Sequence, residues 1–193
     1  MKIAELFARR PKQIIKGSRV LVCGLDFSLR ELFEADLSVY SRHYQSVDAA
    51  FFSSISDLLG ALERAYDIVH FFCGLSPGGI IADSEGATII GSEFIAKCCE
   101  KDVKLLWVAS GNKGDDYIKG FKVNENRLNL VMTLDRRGSR FSEFLEKLLS
   151  RVSRGETMPI AWAALAPQAR GPWEQDLPSC IFSAGRGSVK LLS

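Results

Sequence analysis

The chain has 193 residues, of which 47% are apolar and 25% are charged, and its formal net charge is +2 at pH 7. These values are typical of one globular domain that buries its core without disulfides or metals. The small net charge excludes a strong general attraction to nucleic acid or to membranes. The longest apolar stretches have the length of a strand, so no segment is expected to span a bilayer.

The cysteines and histidines indicate a reducing, cytoplasmic environment and no bound metal. The 5 cysteines form no Cys-x-x-Cys pair, and four of them lie in apolar stretches, where a free cysteine behaves as a small hydrophobic residue. The two histidines, His43 and His70, have no neighbouring ligand at a usable spacing, so neither a metal nor another cofactor is predicted. The segment from Met1 to Ala8 lacks the uninterrupted apolar region of a secretory signal.

Residues 1–18 are predicted to form a basic segment or linker, and residues 19–193 a single domain. The first segment mixes apolar and basic residues, and Pro11 interrupts any continuous helix. A short helix that packs on the domain is favoured over a basic docking arm.

Alternating strands and helices follow in the first half of the chain. A strand is predicted from Arg19 to Gly24, and Ser28 can cap a helix from Leu29 to Phe33. The next strand is expected from Leu37 to Tyr40, and the next helix from Ile55 to Ala65.

The same alternation continues with strands at 67–72, 103–109 and 128–134 and helices at 92–100, 115–121 and 139–152. It predicts an α/β fold with a mostly parallel central sheet and helices on both faces. Gly86 supplies the turn of a small hairpin between 80–82 and 88–90. After Gly155 the pattern loosens into an irregular segment, with a terminal hairpin expected between 180–183 and 189–192.

Two of the predicted strands end in glycine- and serine-rich loops. They carry the sequences Val69-His-Phe-Phe-Cys-Gly-Leu75 and Trp107-Val-Ala-Ser-Gly111. Such runs are typical of buried parallel strands that end at a ligand-facing rim.

These two sequences resemble the catalytic motifs of the CHAT peptidases, a family of prokaryotic relatives of the caspases and separases. In that family the first strand typically reads Val-His-Phe-Ala-Gly-His-Gly, and its second His is the catalytic base. The other strand ends in a sequence such as Leu-Ser-Ala-Cys, whose Cys is the nucleophile. The resemblance extends from Arg19 to Gln168 and implies a three-layer caspase-like fold. It places Gly74 at the base position and Ser110 at the nucleophile position, so neither member of the family dyad is intact.

The candidate substitutes for the dyad are Ser110 or Cys73 as nucleophile and His70 or His43 as base. Ser110 preserves the geometry of a nucleophile but lacks a visible base, and it is expected to cap a loop. Cys73 completes an apolar run and is expected to be a buried thiol. His70 lies roughly 13 Å from residue 74 by strand rise, so a structural role is favoured. His43 can serve as a base only if a loop brings it to the rim.

The carboxyl ends of the strands are predicted to form a ligand rim, because doubly wound sheets bind ligands in that crevice. Its loops expose backbone N–H groups that can hold an anion, although they match no nucleotide motif. The rim comprises Cys73, Gly74, Leu75, Ser76, Ser110, Gly111, Asn112, Lys113, Asp135 and Arg136.

The preferred hypothesis is a catalytically inactive, CHAT-like pseudoprotease that acts through protein–protein interaction as a scaffold or regulatory subunit. Because CHAT domains usually follow repeat or sensor domains, the resemblance implies a partner that contains such domains. Trp162 and Trp173 are candidate anchors for it. The alternatives are a peptidase or other hydrolase with a relocated nucleophile, Ser110 or Cys73, and a small-ligand sensor that uses the same crevice.

Overall fold

A six-stranded sheet forms the centre of the molecule in a computed structural model, which describes residues 13–112, 119–121, 128–136, 140–165, 179–184 and 189–193. The strand order is β3-β2-β4-β7-β8-β9, and every neighbouring pair is parallel except β8 and β9. This arrangement confirms the predicted α/β fold. The strands are β2 (Arg19–Gly24), β3 (Ser46–Phe51), β4 (Ile68–Phe72), β7 (Leu105–Ala109), β8 (Asn129–Leu134) and β9 (Ser179–Ala184).

Five α-helices and two small sheets complete the described elements. The helices are α1 (Arg30–His43), α2 (Ile55–Ala61), α3 (Gly91–Glu100), α4 (Arg140–Val152) and α5 (Met158–Leu165). The small sheets pair β1 (Gln13–Ile15) with β10 (Val189–Leu191) and β5 (Ile80–Ala82) with β6 (Thr88–Ile90). Short 3₁₀ turns cover Phe27–Leu29, Leu62–Arg64 and Lys119–Phe121.

The sheet separates two apolar cores, which makes the architecture three-layered. Side chains from α1, α4 and α5 pack on one face around Trp107, and side chains from α2 and α3 pack on the other face around Phe71. We call these the α1 face and the α3 face. Strand β4 is fully buried and contributes to both faces, because successive residues of a strand point to opposite sides.

One predicted strand is part of a helix. Residues 37–40 lie inside α1, and the strand that follows β2 is β3, Ser46–Phe51. The segment Glu34–Ala35–Asp36 holds no glycine or proline that would end the helix. Helix α1 is also stabilised at its ends, because Glu31 lies in the first turn and Arg42 and His43 lie in the last turn, where they complement the helix dipole.

The predicted terminal hairpin is wrong. Strand β9 pairs antiparallel with β8 at the edge of the central sheet, and β10 pairs parallel with β1. The prediction relied on nearness in sequence, whereas both strands pair with segments that are distant in sequence. Residues 1–12, which belong to the predicted basic segment, lie outside the described part of the chain.

The predicted hairpin before α3 is confirmed. Strands β5 and β6 are antiparallel, and Gly86 has the positive φ of 87° that the turn requires.

The helix expected over 115–121 lies largely outside the described residues. The part of this range that the structure describes is the turn Lys119–Phe121. No helix in the described ranges is long and apolar enough to cross a membrane.

Two glycines provide a matched test of the packing. A Cβ atom at Gly60, in α2, would have no neighbouring atom within 4 Å, whereas one at Gly120 would lie 2.0 Å from the carbonyl oxygen of Gly78. We expect Gly60→Ala to raise the free energy of unfolding by about 0.4–1 kcal/mol, because alanine has fewer conformations in the unfolded chain. Gly120→Ala should lower it by about 1–3 kcal/mol through steric overlap. Urea denaturation measures both values, and equal effects would contradict the close approach of the two backbone segments.

Candidate functional site

The loops that follow β4, β7 and β8 are tied together at the carboxyl edge of the sheet. The Asn112 side chain accepts hydrogen bonds through Oδ1 from the Leu75 backbone N–H at 2.7 Å and from Ser110 Oγ at 2.8 Å. The backbone N–H groups of Asp135 and Arg136 donate to the carbonyl oxygens of Asn112 and Ser110, at 2.8 and 3.0 Å. These bonds hold the predicted rim in one arrangement.

Ser110, which the sequence resemblance aligns with a nucleophile, is fully buried. Its hydroxyl donates to Asn112 Oδ1 and accepts from the Asn112 backbone N–H at 3.3 Å. The hydroxyl thus closes a local turn, which is the structural role that the sequence favours. A serine nucleophile needs a general base at hydrogen-bond distance, and the partner of this hydroxyl is an amide oxygen, which is not basic at neutral pH.

Gly74, at the base position, lies beside a carboxylate. A Cβ atom on Gly74 would be 3.1 Å from Asp26 Oδ2. Asp26 itself accepts hydrogen bonds through Oδ1 from the backbone N–H and the hydroxyl of Ser28, at 3.0 and 2.6 Å. The predicted Ser28 cap is therefore replaced by an Asp26 cap of the turn before α1.

Cys73 is a buried thiol. Its side chain belongs to the apolar cluster on the α3 face and has no solvent exposure. Burial raises the pKa of the Cys73 thiol, and the nearby charge of Asp26 raises it further. A thiol in these surroundings remains protonated, whereas a nucleophilic cysteine must be a thiolate.

Neither histidine of the chain reaches Cys73 or Ser110. His70 is buried on the α1 face, stacked between Phe72 and Trp107 at ring-centroid distances of 4.6 and 5.3 Å, so the sheet separates it from Cys73. His43 ends α1 three residues before Ser46, the first residue of β3, and Ser46 is paired with Arg19, the first residue of β2. It therefore lies at the opposite edge of the sheet, roughly 16 Å from the rim by strand rise, and bonds to Glu146 at 2.6 Å.

Arg136 was expected to add charge to the rim, but its side chain points into the core. Both Arg136 and Asp36 have side chains with no solvent exposure, and Arg136 Nη2 donates to Asp36 Oδ2 at 3.0 Å. Ser142 donates to Asp36 Oδ1 at 2.8 Å. The guanidinium group also lies 4.1 Å from the centre of the Phe141 ring, a cation–π contact that favours the buried charge.

His70 and Tyr40 extend this buried polar cluster. His70 Nε2 lies 3.6 Å from Asp36 Oδ2, and His70 Nδ1 lies 3.2 Å from the Tyr40 hydroxyl. Burial lowers the pKa of His70 well below its ordinary value, and the charge of Arg136 lowers it further. Burial raises the pKa of Asp36, although Arg136 and Ser142 oppose that rise. His70 is consequently neutral at pH 7, as its burial requires.

We call Asp36, Tyr40, His70, Arg136 and Ser142 the buried polar cluster. The sequence indicates His70 and Arg136 as candidate site residues, but it does not indicate Asp36, Tyr40 or Ser142. The helical spacing of Asp36 and Tyr40, one turn apart, is a signal that could have placed both on the inner face of α1.

The remaining predicted site residues are distributed as follows. Ser76 is exposed, and its loop uses the N–H groups of Ser76 and Gly79 in bonds to Ile80 and Ser76. Gly111 packs near Leu29: a Cβ atom built on Gly111 would lie 3.5 Å from Leu29 Cδ2. Trp162 is half-buried in α5, against Trp107 and Phe144 at centroid distances of 6.0 and 5.2 Å. Lys113 and Trp173 lie outside the described residues.

Comparisons with known proteins add no family assignment: no protein-family model matches the chain, and no curated protein is significantly similar to it. Within the described ranges, no group of three or more His, Cys, Asp or Glu side chains is placed to hold a metal ion.

Removing Arg136 tests the energetic role of the buried ion pair. We expect Arg136→Met to lower the free energy of unfolding by about 3–5 kcal/mol, because Asp36 would remain as an uncompensated buried charge. The double variant Asp36→Leu, Arg136→Met should recover most of that loss, since it removes both desolvated charges. Urea denaturation of the wild type, of the single variants Arg136→Met and Asp36→Leu, and of the double variant measures this coupling. Additive losses in the double variant would show that the two side chains act independently.

The pH dependence of stability tests the neutral state of His70. An unfolded histidine takes up a proton near pH 6.5, whereas folded His70 resists protonation. As the pH falls below 6.5, the unfolded state therefore binds more protons, and the free energy of unfolding decreases by up to about 1.4 kcal/mol per pH unit. The His70→Phe variant should lack this decrease.

The measurement is urea denaturation of the wild type and of His70→Phe between about pH 7.5 and about pH 5, an interval that spans the titration of a free histidine. Asp36 is present in both proteins, and its raised pKa acts in the opposite direction, so the difference between the two curves isolates His70. Parallel curves would contradict the assignment of a neutral, buried imidazole.

Proposed function

We propose that this protein is a catalytically inactive, CHAT-like pseudoprotease that works by binding a protein partner, as a scaffold or regulatory subunit. One observation carries the proposal: the hydroxyl at the nucleophile position is buried and bonded to Asn112, and both histidines of the chain lie elsewhere. The strand order, with two sequences that resemble the family motifs at neighbouring strands β4 and β7, is consistent with a caspase-like ancestry.

The alternative of a relocated dyad has less support. His70 lies in β4 on the α1 face, whereas Cys73, the residue just after that strand, packs on the α3 face. Burial also keeps the pKa of the Cys73 thiol above its ordinary value. The small-ligand alternative is also weaker, since N–H groups of the Ser76–Gly79 loop are used within the fold and the Asn112 side chain closes the rim. The hydroxyl of Ser110 and the side-chain oxygen of Asn112 are both used in bonds that join the loops.

We propose Phe27 as the anchor for this partner. Phe27 is 62% exposed, although it is a large apolar side chain, and it follows Asp26, the neighbour of Gly74. Its ring contacts Phe51 at a centroid distance of 5.2 Å, and the guanidinium group of Arg30 lies 5.1 Å from its centre. Aromatic residues, Phe among them, and arginine are enriched at the cores of protein interfaces. Trp162, which is half-buried against other rings, is a poorer anchor.

Site-resolved covalent labelling tests the absence of catalysis. We expect iodoacetamide to leave Cys73 unmodified in the native protein and to modify it after denaturation in urea, because the native thiol is buried and protonated. A fluorophosphonate probe should leave Ser110 unmodified. Mass spectrometry of the digested protein reports each residue separately. Rapid and selective modification of Cys73 or Ser110 in the native state would identify the protein as a hydrolase.

Affinity purification of the tagged protein from its native host tests the binding role. The wild type is compared with Ser110→Ala, Phe27→Ala and Ile90→Ala, the last being a control because Ile90 is also an exposed apolar residue but lies in β6. We expect a stoichiometric partner with the wild type, Ser110→Ala and Ile90→Ala. Phe27→Ala should lower its affinity by about 30-fold, as loss of an interface anchor does. Cleavage of a co-purified protein by the wild type but not by Ser110→Ala would contradict the proposal.

A further inference from the structure

Strand β3 forms one edge of the central sheet and has an open row of backbone groups. Within the described part of the chain, it pairs with β2 on one side and with no strand on the other. The Phe52 N–H donates to the Gly24 carbonyl oxygen at 2.9 Å, which fixes the alternation of the strand: even-numbered residues bond to β2, and Val47, Ala49 and Phe51 direct their N–H and C=O groups away from the sheet. Among the described residues, these outward groups have no hydrogen-bond partner.

This edge lacks the features that usually prevent strands from associating. Exposed edges are commonly protected by lysine, proline, a bulge or another charged residue. The sequence Ser46-Val-Asp-Ala-Ala-Phe51 contains neither lysine nor proline. Its pairing with β2 is one residue to one residue throughout, so the strand has no bulge. Its single charged residue, Asp48, is engaged within the chain. It accepts a hydrogen bond from the Tyr66 hydroxyl at 2.5 Å and lies 3.8 Å from Arg19.

We propose that β3 is a homodimerisation edge, at which two copies of this chain pair antiparallel about a two-fold axis that passes beside Ala49. This inference goes beyond the proposed function and does not depend on it. The symmetry makes the sheet continuous across the two copies, and the surface is self-complementary, as a two-fold interface requires.

The register follows from the hydrogen-bonding alternation and from charge. A residue whose backbone N–H and C=O groups point away from β2 must lie opposite another residue of the same kind. The axis therefore passes beside a single residue and not between two residues. An axis at Asp48 would place two carboxylates directly opposite each other, which is unfavourable. An axis at Ala49 instead places Asp48 opposite Ala50 of the second copy.

The Ala49 register also uses all the outward groups of the strand. Val47 lies opposite Phe51 of the second copy on both sides of the axis, and Ala49 lies opposite its own equivalent. Val47, Ala49 and Phe51 then each donate and accept one hydrogen bond across the interface. The half-buried side chains of Val47 and Phe51, which already pack against the α1 face, meet as aromatic and β-branched cross-strand pairs, a favourable combination in sheets. This complementarity favours a second copy over an unrelated strand.

Two lysine substitutions form the matched test. In the proposed register, Ala49→Lys places two ammonium groups directly opposite each other, whereas Ala50→Lys places a lysine opposite Asp48 of the second copy. Sedimentation velocity over a wide concentration range should show a monomer–dimer equilibrium for the wild type. We expect Ala49→Lys to weaken the dimer about tenfold or more, and Ala50→Lys to leave the dissociation constant unchanged or lower it.

Two further measurements keep the test informative if a lysine disturbs the fold. Ala49→Pro removes an outward N–H that β2 does not use, so it should abolish the dimer while far-ultraviolet circular dichroism stays unchanged. Hydrogen exchange should show that protection of the Val47, Ala49 and Phe51 amides increases with protein concentration.

A wild-type protein that is monomeric at every concentration would overturn the proposal, as would equal dissociation constants for Ala49→Lys and Ala50→Lys. Protection of the outward amides only when another protein is present would also overturn it, because the edge would then accept a strand from a different partner.

Discussion

The buried ion pair between Asp36 and Arg136 is the interaction on which the arrangement of the rim depends. It connects α1 with the loop after β8. In that loop, the backbone N–H of Arg136 donates a hydrogen bond to the Ser110 carbonyl oxygen. Two charges without solvent exposure are costly to bury, and they are stable only while each retains its partners. Ser142 and the Phe141 ring supply further contacts, so any movement of the rim loop would separate charges inside the core.

This constraint explains why polar residues near the rim are poorly suited to catalysis. His70 faces the ion pair and is kept neutral by burial and by the charge of Arg136. The hydrogen bonds of the Ser110 and Asn112 side chains join the loops. Cys73 packs on the α3 face of the sheet. The groups that a hydrolase would need to be mobile and exposed are instead part of the folded scaffold.

Sequence reasoning was most accurate where one physical signal acted alone. The apolar runs around Val69 and Val108 are buried on both faces, and nothing competed with their assignment as strands. It failed at α1, because the charged residue Asp36 lies on the buried face of that helix and interrupts its apolar periodicity. It failed again at the carboxyl terminus, since β9 and β10 pair with strands remote in sequence, and no local pattern encodes that choice.

Local periodicity, turn chemistry and residue identity are enough to predict the α/β class, the parallel core strands, the β5–β6 hairpin and the presence of Gly74 and Ser110 after β4 and β7. The inward direction of the Arg136 side chain, the contacts of His70 and the unpaired edge of β3 among the described residues depend on the folded chain. Burial and charge pairing are properties of several segments together, because the free energy of a buried charge depends on which distant residue lies beside it.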